Sequence, residues 1–537
     1  MNYRIPRQPG GCMASLVNLD ALINREDFEY ETVNNDDAPV PLTISVRHLE
    51  RRDFFYLALR KPDFQRETSE WNPKRVAGLI RTFIDGELVP AVILWKHREL
   101  LFVIDGSHRL SALIAWVQND YGDGVLSNQF FNNQIPDEQR IAADKTRKAV
   151  EKEIGSYDDH LKAGDNPDAF GPDIKTRALS LGSRVLNLQW VRGDASTAEK
   201  SFIRINQQAA IITTQELEML ENRKKPNAIA ARAIIRRGTG HKYWRNFSEQ
   251  NQQAIMDIAT EIHKLIFEPP AQYTEKTINL SAGGPVYSGT ALRMVYDFVN
   301  LRAGAPSMDD DDNGLRTIDY LTRCRRVMQL LLSNHPSSLG LHPAVYFYSW
   351  TVKQQPILFL TIAELVLDYE ADKRLPEFIT VRGEFENFLM ANRSLLNQVI
   401  RKFGTKGSGN SRLRQFYDAV LKLLSDGTQA SNVIAGLQSD PSYKYLAPKE
   451  SPYEGAPSDG YSTKVKAGLV MRELLSKAPR CPICNGLVPG QAVSIDHINR
   501  LQDGGLSSVD NAQLTHPYCN SGIKESKRAK QQKVLNT

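Results

Sequence analysis

The sequence predicts an α+β chain of several domains: an N-terminal α/β region, a helical middle and a small C-terminal module built around cysteine and histidine. Three observations predict it. At 537 residues the chain is longer than one hydrophobic core supports. Strand-like and helical patterns alternate only as far as about residue 220. Of the five cysteines, Cys481, Cys484 and Cys519 fall close to the C-terminus, whereas Cys12 and Cys324 stand alone. A composition of 41% hydrophobic and 24% charged residues excludes wholesale disorder. So few cysteines in such a length exclude a disulfide framework. The longest apolar stretch, Ile357 to Leu367, is about half a membrane-spanning length and contains Glu364. The start MNYRIPRQPGGC lacks the apolar segment of a secretory signal. No membrane partner is expected, and the compartment expected is the cytoplasm.

Residues 1–40 have no periodicity and read as a flexible arm. The domain that follows spans 41–220. Val76, Leu79, Ile80 and Phe83 recur at helical spacing. The β-rich segments Val89 to Trp95 and Leu100 to Ile104 flank the charged turn Lys96 to Glu99, which predicts a hairpin. Its second strand runs into Asp105 and Gly106, and a helical pattern begins at once with Leu110, Leu113, Ile114 and Val117. Residues 119–180 are polar and read as an insertion carrying one solvated helix around Asp144 to Ile154. A strand over Val185 to Val191 precedes Ser196, Thr197, Ala198 and Glu199, which have the form of a capping box.

Residues 221–446 read as a helical domain. Leu413, Phe416, Tyr417, Val420, Leu421 and Leu424 mark a buried helical face. The run Asp309 to Asp312 fits an exposed loop or, less simply, a divalent-metal site. Gly404 to Arg412 fits a flexible connector or a weak phosphate cradle. Residues 447–463 concentrate proline, glycine and serine and read as a linker. The last module spans 464–537. From Tyr461 to the end there are 11 Lys/Arg against 5 Asp/Glu, while the rest of the chain carries 56 against 57. The basic excess is therefore local, which suits either nucleic acid or a solvated end.

Cys481-Pro-Ile-Cys484 and His516-Pro-Tyr-Cys519 are separated by 31 residues. Two such knuckles close a tetrahedral Cys3His site for structural Zn2+, which would compensate for the small core of a short module. A redox Cys-x-x-Cys is the competing reading, but it leaves the second pair unexplained. Between the knuckles, Ala492 to Arg500 is strand-like yet carries Asp496 and His497; then come Gly504-Gly505, Asn511, a short strand at Gln513 to Thr515 and a basic helix with Asn520. This pattern resembles the HNH nucleases with their ββα-metal fold, with His516 in place of the usual first cysteine of the second knuckle. A phosphodiester needs a base to deprotonate water and a cation to neutralise phosphoryl charge. Neutral imidazole suits the first role and oxygen-held Mg2+ or another divalent cation the second. The resemblance implies His497 as general base, Asp496 and Asn520 as Mg2+ ligands, and Asn511 as the residue orienting the base or its loop. Adjacent side chains on a regular strand point apart, so this carry-over expects a twist or bulge at Asp496 and His497. Arg500, Lys524, Lys527, Arg528 and Lys530 are candidate phosphate contacts or plain surface charges.

The second site is Val103-Ile-Asp-Gly-Ser-His-Arg, where a strand ends in a glycine turn at a helix N-terminus and aims backbone N–H groups at an anion. Pro62 to Arg66, Trp71, Leu79 to Gly86, Val89-Pro90, Phe202 to Asn206 and Glu216-Leu217 follow in order around it. Together they resemble the ParB/sulfiredoxin-like domain of GmrSD-type restriction proteins. Ser107 and His108 replace the two glutamines of the usual Asp-Gly-Gln-Gln-Arg turn. The resemblance implies binding or hydrolysis of an NTP at Gln65, Arg66, Asp105, Gly106, Ser107, His108 and Arg109. A helix cap and an Asp105–Arg109 salt bridge are the structural alternative. The two resemblances imply a bacterial anti-phage restriction endonuclease, acting on phage DNA that carries base modifications or not, licensed by nucleotide and able to form a homo-oligomer. A nucleotide-controlled DNA-binding regulator with an inactive HNH finger and an RNA-cutting toxin are the alternatives.

Overall fold

A computed structural model describes residues 16–28, 40–65, 71–209, 218–219, 221–268, 280–284, 286, 289–302, 309–349, 352–405, 408–447, 461 and 463–524. The chain divides into two compact units. The first comprises Met1–Gln252, Tyr287–Arg293 and Ser307–Gly314; the second comprises Gln253–Val286, Met294–Pro306 and Leu315–Thr537.

The first unit is organised on a six-stranded mixed sheet. Its strands are β1 (Arg25–Glu26), β2 (Thr43–Ile44), β3 (Leu59–Pro62), β4 (Val92–His97), β5 (Leu100–Asp105) and β6 (Leu186–Val191), in the order β1-β3-β5-β4-β6-β2. The expected hairpin is β4–β5, paired antiparallel through His97↔Leu100 across the charged turn. β3 runs parallel to β5, and β6 runs parallel to β4. Both faces are covered. Val92, Leu94 and Val103 join one core cluster with Val76, Ile80, Leu110 and Leu113, whereas Trp95, Phe102 and Ile104 join Phe28, Phe64 and Phe202 on the other. Burial on both sides explains why the two strands read as unbroken apolar runs rather than as an alternation.

Helices α1 (Phe54–Ala58), α2 (Pro73–Asp85), α3 (Ser107–Gln118), α4 (Val125–Phe130), α5 (Asp137–Glu153), α6 (Tyr157–Asp165), α7 (Pro172–Leu181) and α8 (Ala195–Ala209) complete the layers. Asn72 caps α2, Pro73 occupies its first turn, and Gly86 ends it with φ +78°, a left-handed conformation that glycine adopts without a Cβ penalty.

Three expectations are corrected here. Residues 16–28 are not a loose arm: Val17, Leu19, Leu22 and Ile23 are buried in the core and β1 extends the sheet. Too few residues are involved to establish a period, so burial rather than spacing carries the signal. Residues 119–180 are not a polar insertion, because Tyr121, Ala143, Val150, Ile154 and Tyr157 pack into the same core as α2 and α3. Each helix of the segment contributes a narrow apolar edge, and the polar majority faces water. The α8 cap is Asp194 rather than Ser196, since the Asp194 carboxylate accepts from both the Thr197 N–H (2.9 Å) and the Thr197 hydroxyl (2.7 Å).

At the sheet edge, Asp20 is surrounded by three cations: Arg25 and Lys61 at 2.8 Å and Arg236 at 3.1 Å. Burial pushes the Asp20 carboxyl up, yet Arg25, then Lys61 and Arg236, hold it well below the usual carboxylate range. Burial also lowers Lys61, to about 8. Asp20→Asn removes the carboxylate that pairs with all three cations and is expected to cost about 3–5 kcal/mol in a chemical-denaturation midpoint measurement. Because the folded-state carboxyl is depressed, the stabilisation is complete above the unfolded value near 4 and fades as pH falls below it.

The second unit is largely helical. The helix Ser408–Ser425 buries Leu413, Phe416, Tyr417, Val420, Leu421 and Leu424, as the periodicity predicts, against the helices Pro356–Ala371, Leu375–Ala391 and Arg393–Phe403. Ser408 already begins that helix, so only the first part of the Gly404 to Arg412 stretch connects elements. In the first unit, Asp311 of the acidic run turns inward, and its carboxylate accepts the Gly314 N–H at 3.0 Å. Most of the linker read at 447–463 lies outside the described residues. At the C-terminus β7 (Ser494–His497) pairs antiparallel with β8 (Ala512–Thr515), followed by a short helix that is π-type over Cys519–Lys524. Among the described residues no helix is long and apolar enough to cross a membrane.

Candidate active site and metal centre

The sequence Cys-Pro-Ile-Cys-Asn-Gly folds as a knuckle. The Asn485 N–H donates to the Cys481 carbonyl (2.8 Å) and the Cys481 N–H to the Gly486 carbonyl (2.9 Å), with Asn485 in the left-handed region at φ 56°. This turn brings both thiols to one side. β8 then delivers His516 and Cys519, and the four ligand atoms lie within 4.8 Å of one another, all buried. His516 Nδ1 is 3.3 Å from Cys484 Sγ and 3.8 Å from Cys519 Sγ. A tetrahedral zinc with its usual bond lengths requires S···N edges of about 3.6 Å, so the cage has the right size. The donor set fits too. Hydrogen bonding to Cys481 pushes the Cys484 thiol up to about 11, and the same thiol raises Cys519 further, while Cys481 is lowered as the acceptor of both. Three thiolates cannot share this space without a divalent cation. Burial, and then Arg382, lower the His516 pKa and keep the ring neutral, as a ligand must be.

The hairpin between the knuckles places the remaining candidates. The register Ser494↔Thr515, Ile495↔Leu514, Asp496↔Gln513 and His497↔Ala512 runs without a shift, so the bulge expected at Asp496 and His497 is absent. Asp496 is buried and accepts from Gln513 Nε2 at 2.8 Å. Asn520 donates to Ser494 Oγ at 2.8 Å, and Ser494 is two residues from Asp496 on the same face, so Asp496 and Asn520 share a side. His497 closes the strand on the alternate side, half-buried, with Nε2 3.3 Å from Ser507 Oγ. Asn511 pins the loop between them: its Oδ1 accepts the Asn499 N–H (2.7 Å), and its Nδ2 donates to the carbonyls of Asn499 (2.8 Å) and Leu506 (2.7 Å). Ser507 follows directly, so Asn511 shapes the segment that meets the imidazole. Arg500 is half-buried at the start of that loop; Lys527, Arg528 and Lys530 lie outside the described residues.

In the first unit, Gln65 lies just beyond β3 and Asp105 ends β5, so both occupy the C-terminal end of two parallel neighbours, where α/β sheets place ligands. Gln65 Nε2 donates to the Val103 carbonyl and ties the two ends together. Gly106 turns at φ +92°; a Cβ there would lie 2.9 Å from both Val92 Cγ2 and Arg109 Nη2. Ser107 opens α3, whose first turn receives no side-chain cap. Arg109 Nη2 donates to Asp105 Oδ2 (2.7 Å) and to the Ala91 carbonyl (3.0 Å). The Asp105–Arg109 ion pair anticipated as the structural alternative therefore exists. Two polar atoms beside it, Arg109 Nε and Gln65 Oε1, are buried without a hydrogen-bond partner. The His108 ring stacks on Trp71 with centroids 5.8 Å apart and planes 16° from parallel. Arg66, Glu216 and Leu217 lie outside the described residues.

Several contributors carried no recognised signal. Ser494, Gln513 and Ser507 are ordinary polar residues until the register sets them beside Asn520, Asp496 and His497. Arg382 and Glu386 pack behind the thiol cage, and their i, i+4 spacing within one helix could have pointed to them.

Residues 48–222 match the family model for the N-terminal domain of GmrSD restriction endonucleases, and residues 481–526 match that for HNH endonucleases. Neither a search of curated proteins nor one of solved structures gave a match. The first match spans strands β3 to β6 and the glycine turn, leaving out β1 and β2; the second spans both knuckles and the hairpin. The chain thus carries a GmrSD-type restriction endonuclease N-terminal domain and a C-terminal HNH endonuclease domain, and the two together support a nuclease with DNA as its substrate.

Proposed function

We propose that this chain is an anti-phage restriction enzyme in which the HNH hairpin hydrolyses DNA phosphodiesters and the N-terminal domain licenses the cut by binding a nucleoside triphosphate. The observation that carries the reading is the co-occurrence, within residues 481–520, of a buried Cys3His cage and of Asp496, His497, Asn511 and Asn520. A zinc clamp alone has no use for those four. His497 takes the proton of the attacking water; Asn511, through the 499–507 loop, sets the ring's orientation. Asp496 and Asn520 offer oxygen atoms on the other side of β7 to a divalent cation such as Mg2+, which when bound would supply Lewis-acid neutralisation of phosphoryl and leaving-group charge. With no bulge in the strand, the scissile phosphate sits at the end of β7, where imidazole and carboxylate can approach from opposite sides.

The nucleotide reading is supported by the uncapped α3 N-terminus at Gly106, by the two unpartnered polar atoms beside it and by the guanidinium of Arg109. Arg109→Ala is expected to weaken NTP binding roughly 10–100-fold, the value of a charge-assisted hydrogen bond, as read by calorimetric titration.

The deciding experiment incubates the full chain with modified and unmodified phage genomes, with and without NTP, in Mg2+ or chelator. Mg2+-dependent cleavage that changes with nucleotide is the expected result. Cutting that persists in chelator would remove the proposed active site. Salt-sensitive binding without nicking would make the chain a regulator, and cleavage confined to RNA would make it a toxin.

A further inference from the structure

We propose that the buried pair Arg382–Glu386, on the helix Leu375–Ala391, is a positioning device for the Cys3His centre, holding the His516 ring in the one tautomer that can bind metal. The inference rests on the reading of that cage as a zinc site and deepens it. Glu386 Oε2 accepts the Leu487 N–H at 2.6 Å, and the Leu487 carbonyl lies 3.0 Å from His516 Nε2. A carbonyl oxygen only accepts, so Nε2 carries the proton and the Nδ1 lone pair faces the thiols. Glu386 is itself fixed: its Oε1 accepts from Arg382 Nε at 2.8 Å and from the Tyr346 hydroxyl at 2.9 Å. Arg382 spends its other nitrogens on the carbonyls of Leu339 and Gly340. Arg382, Glu386, Leu487 and His516 are all fully buried.

Three glycines make the seat independently of the hydrogen bonds. A Cβ on Gly383 would lie 2.8 Å from Asn485 Cβ and 3.1 Å from the Cys484 carbonyl; on Gly486 it would lie 2.5 Å from Arg382 Nε; on Gly340 it would lie 2.9 Å from His516 Cδ2. The knuckle is therefore pressed onto the helix and onto the 339–340 turn wherever a side chain is missing. A buried ion pair is a poor stabiliser compared with apolar residues of the same volume, so stability alone does not account for placing one here. Orientation of a ligand does.

The test uses the full chain loaded with zinc. Metal content is measured by elemental analysis, affinity by competition with a chromophoric chelator, and ligand geometry by the visible spectrum of the Co2+-substituted protein. Glu386→Ala is expected to lower zinc affinity about 10–100-fold and to alter the Co2+ bands. Gly383→Ala, which lifts the knuckle and leaves the ion pair intact, should act in the same direction. Tyr346→Phe removes a Glu386 hydrogen bond but spares the Leu487 relay, and should leave affinity and spectrum as in wild type. Glu386→Gln, which keeps the volume and one acceptor oxygen, is read if the alanine variant fails to fold, and should fall between alanine and wild type. Wild-type affinity and spectrum in the folded Glu386 variant would overturn the proposal even with stability reduced. A wild-type chain without zinc would overturn the metal reading itself, and this inference with it.

Discussion

Replacing His497 with alanine is expected to lower DNA cleavage about 10²–10⁴-fold, the range for loss of a positioned general base, while zinc content and thermal midpoint stay as in wild type. The separation of effects follows from position. His497 closes β7 half-buried, beside Ser507, and is outside both the thiol cage and the Leu487 relay. Its removal leaves the Ser494↔Thr515 to Asp496↔Gln513 pairs unchanged. Asp496→Asn should differ in kind. It keeps a partner for Gln513 but weakens the oxygen ligand, so activity should recover in part at high Mg2+, whereas His497→Ala should not respond. A plasmid-nicking assay across a Mg2+ series distinguishes the two. Equal nicking by wild type and His497→Ala would show that the base lies elsewhere.

Removing the zinc, by chelation or by Cys484→Ser, is expected to have the largest effect on stability. Structural zinc in small modules contributes on the order of 10 kcal/mol of apparent binding energy, and here it also relieves three crowded buried thiols. Without a cation, hydrogen bonding to Cys481 and burial keep Cys484 protonated with a pKa of about 11, so the cage no longer holds three thiolates. The loss should spread beyond the hairpin, because the Tyr518 N–H donates to the Ser338 carbonyl (2.9 Å) and Ser521 Oγ to the Pro336 carbonyl (2.7 Å). Thermal unfolding followed by circular dichroism should show a lowered midpoint for the second unit. Zinc release should increase as pH falls, since protons compete for the thiolates and for His516 Nδ1. A midpoint unchanged by complete chelation would rule out a structural metal.

What could be read from sequence was what short range determines. The β4–β5 hairpin announced itself because burial on both faces leaves two apolar runs with a charged turn between them. The two knuckles announced themselves because ligand spacing is local. Residues 16–28 and the helices between 119 and 181 did not, since their burial depends on a sheet assembled from residues far along the chain. Asp194 was passed over because Ser196 satisfied the same capping pattern two residues later. Most instructive are Arg382 and Glu386, whose side chains are as buried as the leucines around them. A charged residue counts as surface until the backbone it must satisfy is known, and Leu487 is a hundred positions away.

The glycine contacts at 340, 383 and 486 bear on how this nuclease can be handled. A fragment begun at residue 464 would keep all four metal ligands but leave behind the wall they lean on, exposing Leu487, Val488 and the Glu386-bound amide to water. The cutting head is a fitted part rather than a portable cassette, and grafting it onto another protein would require carrying the helix Leu375–Ala391 and the 333–342 turn along with it.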